Sequence, residues 1–166
     1  MNILVITGTH EQPFDRLVAA ADRLAANGHD VFIQYGYATK PPVTALGAVW
    51  VERAELDERC SQADVIITHG GPGSIWDAFG SGKVPIVVPR LRRHGEHVDD
   101  HQLAFARHLA RHRRVLMVED TALLEEVVST YREAAAEHVS PGELAVVNRQ
   151  RLAEALERWV WSRRRR

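Results

Sequence analysis

Ala63-Asp64-Val65-Ile66-Ile67-Thr68-His69-Gly70-Gly71-Pro72-Gly73-Ser74-Ile75-Trp76-Asp77-Ala78 is the stretch on which the reading of this chain turns. Val65 to Ile67 form a short β-branched run of the kind that makes a strand buried on both faces. The run stops at Thr68-His69, where Gly70 and Gly71 allow backbone angles that a Cβ forbids. Pro72 suits the first position of a helix, which needs no N–H and a preset φ. The amides of Gly73, Ser74 and Ile75 would then point out of a helix N-terminus. A strand, a glycine turn and a helix start together make a site for a phosphate or diphosphate.

The flanking sequence repeats the strand-helix alternation. Ile3 to Ile6 make a first strand, followed by the turn Thr7-Gly8-Thr9-His10. A helix opened by Pro13 runs to Asn27, with Leu17, Val18, Ala21 and Leu24 on one face and Gly28 as its left-handed stop. Further strands are expected at Val31–Ile33, Ala48–Val51, Pro85–Val88 and Val115–Val118. Helices are expected at Glu55–Gln62, Asp100–Arg113, about 120–137 and 142–162. Continuous apolar strands alternating with helices predict an α/β fold. It is a doubly wound, mainly parallel, Rossmann-like six-stranded sheet covered on both faces. In the strand order 3-2-1-4-5-6, the turns at Gly8-Thr9 and Gly70-Gly71 share the crevice where the winding reverses. No G-x-G-x-x-G follows the first strand and no Walker motif exists, which disfavours a dinucleotide or P-loop site.

Composition narrows the class. The 166 residues carry a formal net charge of −1, so no general field draws in nucleic acid. A single cysteine, Cys60, excludes an internal disulfide framework. No apolar run approaches a membrane span, and the chain starts directly on a strand. The expected location is cytoplasmic. The expected division is a domain over residues 1–140, then a helix and basic tail over 141–166. In that tail Leu144, Val147, Leu152, Leu156, Trp159 and Val160 fall near one helical stripe ahead of Arg163–Arg166.

Several residues carry candidate chemistry. Ser74 and Asp77, three apart, share a helix face, where a hydroxyl and a carboxylate suit a phosphate followed by a ribose diol. The loop from Arg90 to Gln102 is dense in Arg, His and acidic residues and should overhang the same crevice. His97 and His101, four apart with Asp100 close by, raise a metal reading. That loop lacks a compact tetrahedral set along the sequence, so gripping sugar-like hydroxyls is the better use.

Thr7-Gly8-Thr9, Phe14-Asp15-Arg16-Leu17, His69-Gly70-Gly71-Pro72-Gly73-Ser74, Gly82 to Pro89 and Asp100-His101-Gln102 resemble the glycosyltransferase family 28 C-terminal domain, in order, up to about residue 140. The Pro89–Gln102 stretch is most like the single-domain PssE- and EpsE-type subunits of exopolysaccharide and capsule synthesis. The same domain occurs in MurG and in the small subunit of the dolichol-linked N-acetylglucosaminyltransferase.

The resemblance implies the donor half of a GT-B fold with a UDP-sugar in the crevice. It places the diphosphate on the amides around Gly8, Thr9, Gly70, Gly71, Gly73 and Ser74. Asp77 would lie at the ribose, where the family usually has Glu. Asp100, His101 and Gln102 would grip the sugar, and Arg90, with Arg92 and Arg93, would meet a sugar carboxylate. It implies transfer with inversion, no cofactor, and no metal in the donor site. The implied activity is that of a catalytic subunit acting on a polyprenyl-diphosphate-linked sugar, with a beta-1,4-glucuronosyltransferase as its specific form. A membrane-associated PssD-like subunit would supply the acceptor site and hold the complex at the inner face of the membrane. His10 is the candidate general base on this chain. A non-catalytic nucleotide-sugar-binding subunit and a UDP-GlcNAc 2-epimerase-like enzyme are the alternatives.

Overall fold

The computed structural model describes residues 1–138. The expected helix at 142–162, its apolar stripe and the basic tail lie outside the described residues. Six strands form one sheet: β1 (Asn2–Ile6), β2 (Asp30–Gln34), β3 (Leu46–Ala48), β4 (Val65–Thr68), β5 (Ile86–Val87) and β6 (Leu116–Met117). Their order is β3-β2-β1-β4-β5-β6 and every pairing is parallel. The helices are α1 (Asp15–Ala26), α2 (Arg53–Gln62), α3 (Pro72–Gly80), α4 (His101–Arg111), α5 (Leu124–Ser129) and α6 (Tyr131–Ala136).

Alternation along the strands divides the core. Ile3, Val5, Ile33 and Ile67 point to the face covered by Leu17, Ala21 and Leu24 of α1 and by Leu124, Val128 and Tyr131. Leu4, Ile6 and Ile66 point the other way, onto Cys60 of α2 and Ala78 of α3. Ile75 and Phe79 of α3 continue that layer with Phe105 and Ala106 of α4 over Val87. Burying β1 and β4 on both faces removes the alternation of polar residues that a half-exposed strand would show, which is why they read as unbroken apolar runs.

The register matters for function. Ala48, Gln34, Ile6, Thr68, Val87 and Met117 pair in one row across all six strands. Every strand therefore ends at the same level, and the following loops share one edge. The winding reverses between β1 and β4, so the Gly8 and Gly70-Gly71 turns are neighbours there.

Several readings differ from the sequence-based expectation. Pro13 does not open the first helix, which starts at Asp15 with Phe14 as its N-cap. The third strand ends at Ala48, not Val51, because the Val49 carbonyl accepts from Gly36 N and from Gln34 Nε2 (2.9 Å) and leaves Trp50 exposed. The expected helix at 120–137 is three pieces, a 3-10 turn at Thr121–Leu123, then α5 and α6. Asp120 caps the first by accepting from Ala122 N, and the buried Tyr131 hydroxyl donates to the Val84 carbonyl at 2.9 Å, which anchors α6 to the strand before the bend is complete. Gly70 and Gly71 have no left-handed φ; that conformation belongs to Gly8 at φ 84° and, as expected, to Gly28 at φ 91°.

Candidate functional site: the crevice between β1 and β4

Pro72 is the first residue of α3 and Gly71 its extended N-cap. Ile75 N already donates to the Gly71 carbonyl at 3.3 Å, so the open amides of this helix end are those of Gly73 and Ser74, one fewer than expected. A Cβ on Gly73 would meet nothing within 4 Å, so this backbone faces open space. The pair Gly70-Gly71 is required by close approach and not by φ. A Cβ at Gly71 would overlap the His69 ring, and one at Gly70 would stand 2.8 Å from Gln102 Cβ.

His69 organises this corner. Its Nδ1 accepts from Gly71 N at 2.9 Å, which leaves the proton on Nε2 to be donated to Ser74 Oγ at 3.2 Å. Burial first, then the charge of Arg90, holds the imidazole down at about 3, so it stays neutral. Gly8 faces the same ring, since its Cβ would overlap His69 Nε2. The two glycine turns therefore touch through one imidazole.

The Gly8 amide itself is taken. It donates to Gln34 Oε1 at 3.2 Å, while Gln34 Nε2 spans to the Gly8 carbonyl and to Val49. Gln34 thereby joins the loops after β1, β2 and β3, and Thr9, the next residue of that turn, is exposed.

Asp77, one turn into α3, accepts from Arg53 Nη1 at 2.8 Å, and Arg53 also pairs with Asp57. The start of α2 is thus pinned beside the first turn of α3. Three residues earlier stands Trp50, which packs edge-on against Tyr37 with ring centroids 5.4 Å apart; both are about half exposed.

The loop after β5 is held from below. Arg90 is 1 % exposed, and its guanidinium donates to the carbonyls of Gln12 (2.6 Å), Thr7 (2.9 Å) and Glu96 (3.0 Å) over the Phe14 ring. Burial pulls it down to about 10, with Glu96 opposing the shift, so it remains a cation at neutral pH. Its expected place against a sugar carboxylate does not correspond to this geometry: Arg90 holds the scaffold beneath the crevice. Arg16 forms a second clamp, bidentate to Glu96 at 2.7 and 3.1 Å and donating to the Pro89 and Glu119 carbonyls. Gln102, 4 % exposed, accepts with one oxygen from both Gly70 N (3.0 Å) and Arg90 N (3.2 Å). It ties the β4 turn to the β5 loop.

The residues expected at the sugar divide. Asp100 is exposed and accepts from Arg92 N at 2.9 Å. His101 pairs through Nδ1 with Asp99, packs edge-on against His97 at 4.5 Å, and is partly exposed. His10 lies against His97, centroids 4.3 Å apart, with its Nδ1 accepting from Gln12 N. His10, His97 and His101 therefore form one row along the rim. Sequence reading passed over His69, Gln34, Glu96 and Arg53. Gln34, Glu96 and Arg53 act on residues 24 to 80 positions away, which no local signal marks, whereas His69 acts two and five positions away, within the stretch itself.

Cys60 is buried, its thiol pushed up to about 11 by burial and then by Asp77, and it faces the core and not the crevice. Among the described residues no helix is long and apolar enough to cross a membrane.

Known proteins share this fold. The chain is 37 % identical over 67 residues to the UDP-N-acetylglucosamine transferase subunit ALG13 of Yarrowia lipolytica, a match covering 40 % of this chain and 32 % of that protein. The glycotransferase of kitacinnamycin superposes with a TM-score of 0.62 at 20 % identity over 94 % of this chain and 42 % of its own. MurG of Acinetobacter baumannii gives 0.55 at 18 % identity, over 90 % and 49 %. The chain thus spans about a third of that curated relative and less than half of either solved enzyme. The glycosyltransferase family 28 C-terminal domain matches residues 2–157, nearly the whole chain, and this protein belongs to that family.

Proposed function

We propose that the chain is the donor-binding, catalytic half of an inverting UDP-sugar glycosyltransferase. The observation that carries this reading is the corner at the switch point, where the open end of α3, the Gly8 turn and neutral His69 meet. Two open amides and the positive end of a helix suit a diphosphate. The Ser74 hydroxyl and the exposed turn residue Thr9 stand at the same corner. Among the residues proposed for the diphosphate, Gly8, Gly70 and Gly71 act by letting neighbours approach, and Gly73 and Ser74 by their amides.

The nucleoside would run from that corner toward Arg53 and Trp50. Asp77, fixed by Arg53, is the proposed ribose contact, and the exposed Tyr37–Trp50 faces offer a stacking surface for the base. Asp100, His101 and Gln102 are the proposed sugar contacts. With Arg90 enclosed, Arg92 and Arg93 are the cations left for a glucuronic acid carboxylate. In the reaction the acceptor oxygen bonds to the anomeric carbon as the bond to the diphosphate oxygen breaks. The electron pair leaves on UDP, where the helix amides meet the developing charge. A base takes the acceptor proton. His10 is the group on this chain proposed for it.

No cofactor is required in this reading, and no metal at the diphosphate. The proposed acceptor is a lipid-diphosphate-linked sugar in exopolysaccharide or capsule synthesis. The ALG13 relative is itself named a subunit, which supports an acceptor-binding partner of PssD-like type and a peripheral place at the membrane through it.

Titration with UDP tests the reading. Gly73→Val puts a side chain into open space, so the fold survives while the amides are covered. The expected loss of UDP affinity is about tenfold or more, since the anion must leave the helix end. Unchanged affinity in this variant, with intact secondary structure, overturns it.

A further inference from the structure

His97, Asp99 and His101 bring three ligand atoms within 4.8 Å of one another on the loop between β5 and α4. Along the sequence Asp100 seemed the carboxylate for the two histidines; in the fold Asp100 turns to Arg92 N, and Asp99 faces them instead. The compact set missing from the linear spacing is thus present in space. We infer that His97, Asp99 and His101 form a binding site for a divalent transition-metal ion of the Zn2+ class, separate from the diphosphate corner, and that His101 serves this ion instead of the sugar when the ion is bound.

The donor set fits that class. Two imidazoles and one carboxylate suit a borderline ion, with a fourth position left for water or another ligand. Tetrahedral bonds of about 2.1 Å place neighbouring ligand atoms about 3.4 Å apart. His97 Nδ1 and Asp99 Oδ1 stand at 3.4 Å. His101 Nδ1 sits closer to Asp99 than coordination allows and must move outward. It can, because its side chain is 40 % exposed and that of Asp99 50 %, while His97 at 9 % is the fixed member.

Helix capping alone explains less. Asp99 Oδ1 accepts from His101 N at 3.1 Å, which accounts for Asp99 and His101 as an ordinary turn before α4. It does not involve His97, whose buried Nδ1 accepts from Asp99 N at 3.4 Å and lies at the same distance from the shared carboxylate oxygen. His10, stacked on His97, adds an imidazole next to the set.

Among the described residues a competing exposed pair is His108, on α4, and His112, its C-cap, with ring centroids 4.5 Å apart. The test therefore starts from the full chain carrying His108→Ala and His112→Ala, stripped with a chelator. Zn2+ is titrated by calorimetry and Co2+ by visible absorption. A single saturable ion with the absorption bands of tetrahedral cobalt is expected. Asp99→Asn, His101→Ala and His97→Ala should each weaken it by at least about tenfold. The first two alter half-exposed side chains and guard against a folding defect in the third. Absence of saturable binding overturns the inference, as does equal affinity in the Asp99 and His101 variants.

Discussion

Single side chains here do work that their types do not advertise. Gln102 illustrates it: a residue expected to grip a sugar spends its oxygen on the amides of Gly70 and Arg90, both buried. Gln102→Ala would strand those two donors at about 1–3 kcal/mol each and would weaken UDP as well as UDP-sugar. Gln102→Glu keeps an acceptor for both amides, but it replaces the side-chain nitrogen with oxygen and adds a buried carboxyl group, so the two ligands are compared as a ratio of affinities. If that nitrogen serves the sugar, this variant loses about tenfold more affinity for UDP-sugar than for UDP, the worth of one hydrogen bond. Calorimetry with both ligands reads the difference, and equal effects would remove Gln102 from the sugar site. His69 gives a second prediction at this scale. Burial and Arg90 depress its folded pKa to about 3, whereas the unfolded chain takes up that proton near the ordinary 6.5. Between those values the unfolded state binds more protons, so this group removes stability as pH falls from about 6.5 toward 3. The ring carbon shifts of His69 in NMR should stay those of neutral imidazole down to pH 5. A titration step above that pH would contradict the His69–Gly71–Ser74 arrangement.

At the scale of elements, α1 carries more than its apolar face. Asp22 accepts from the amides of Val43, Thr44 and Ala45, and Asp15 from Thr39 N and Oγ1, both 2.7 Å. Two carboxylates, Asp15 exposed and Asp22 half-buried, thus fasten the loop between β2 and β3. Burial pushes Asp22 upward, but those three amides outweigh it and hold the carboxyl below its usual range. Its contribution is therefore present above the ordinary carboxylate pKa and lost as pH falls below it. Asp22→Ala should cost about 1–3 kcal/mol in urea unfolding at pH 7, with the gap between variant and parent closing in acid. A gap that persists unchanged at low pH would show that the carboxylate charge is not what holds the loop. Elements of this kind mark what could be read in advance. The strand order, the six strands, and the α3 start at Pro72 follow from apolar runs and glycine-proline punctuation, which are local signals. The end of β3 and the break at Thr130 do not, because Val49 and Tyr131 are placed by partners at Gln34 and Val84. The site divides the same way. The helix-end amides were legible in Gly-Pro-Gly-Ser, whereas Arg90 reads as a polar loop residue until its three carbonyl partners are known.

At the scale of the whole molecule, the described residues give the crevice one wall. All six described strands belong to a single sheet, and every proposed ligand contact rises from its carboxyl edge. The solved enzymes that share the fold are more than twice as long as the part this chain matches, at 42 % and 49 % coverage. An inverting displacement needs an acceptor hydroxyl held in line with the leaving diphosphate, and positioning of that kind accounts for several kcal/mol of the barrier. In the proposed reading the crevice groups of the described residues are assigned to phosphate, ribose, base and donor sugar, with His10 the one base proposed and no described surface opposite it. We therefore expect the chain to bind UDP-sugar by itself yet to turn it over only when a second polypeptide supplies the acceptor wall. The assay pairs the purified chain with UDP-sugar and a polyprenyl-diphosphate-linked sugar, with and without a membrane-associated acceptor-binding subunit. Donor binding is followed in parallel, so that an inactive preparation is distinguished from an incomplete enzyme. Turnover by the chain alone at the rate of the mixture would end the half-enzyme reading. Binding without turnover, converted to turnover by the partner, is the expected outcome. A His10→Ala chain in the same mixture then separates the two sources of the base: a fall of about a hundredfold or more puts it on this chain, and a small change puts it on the partner.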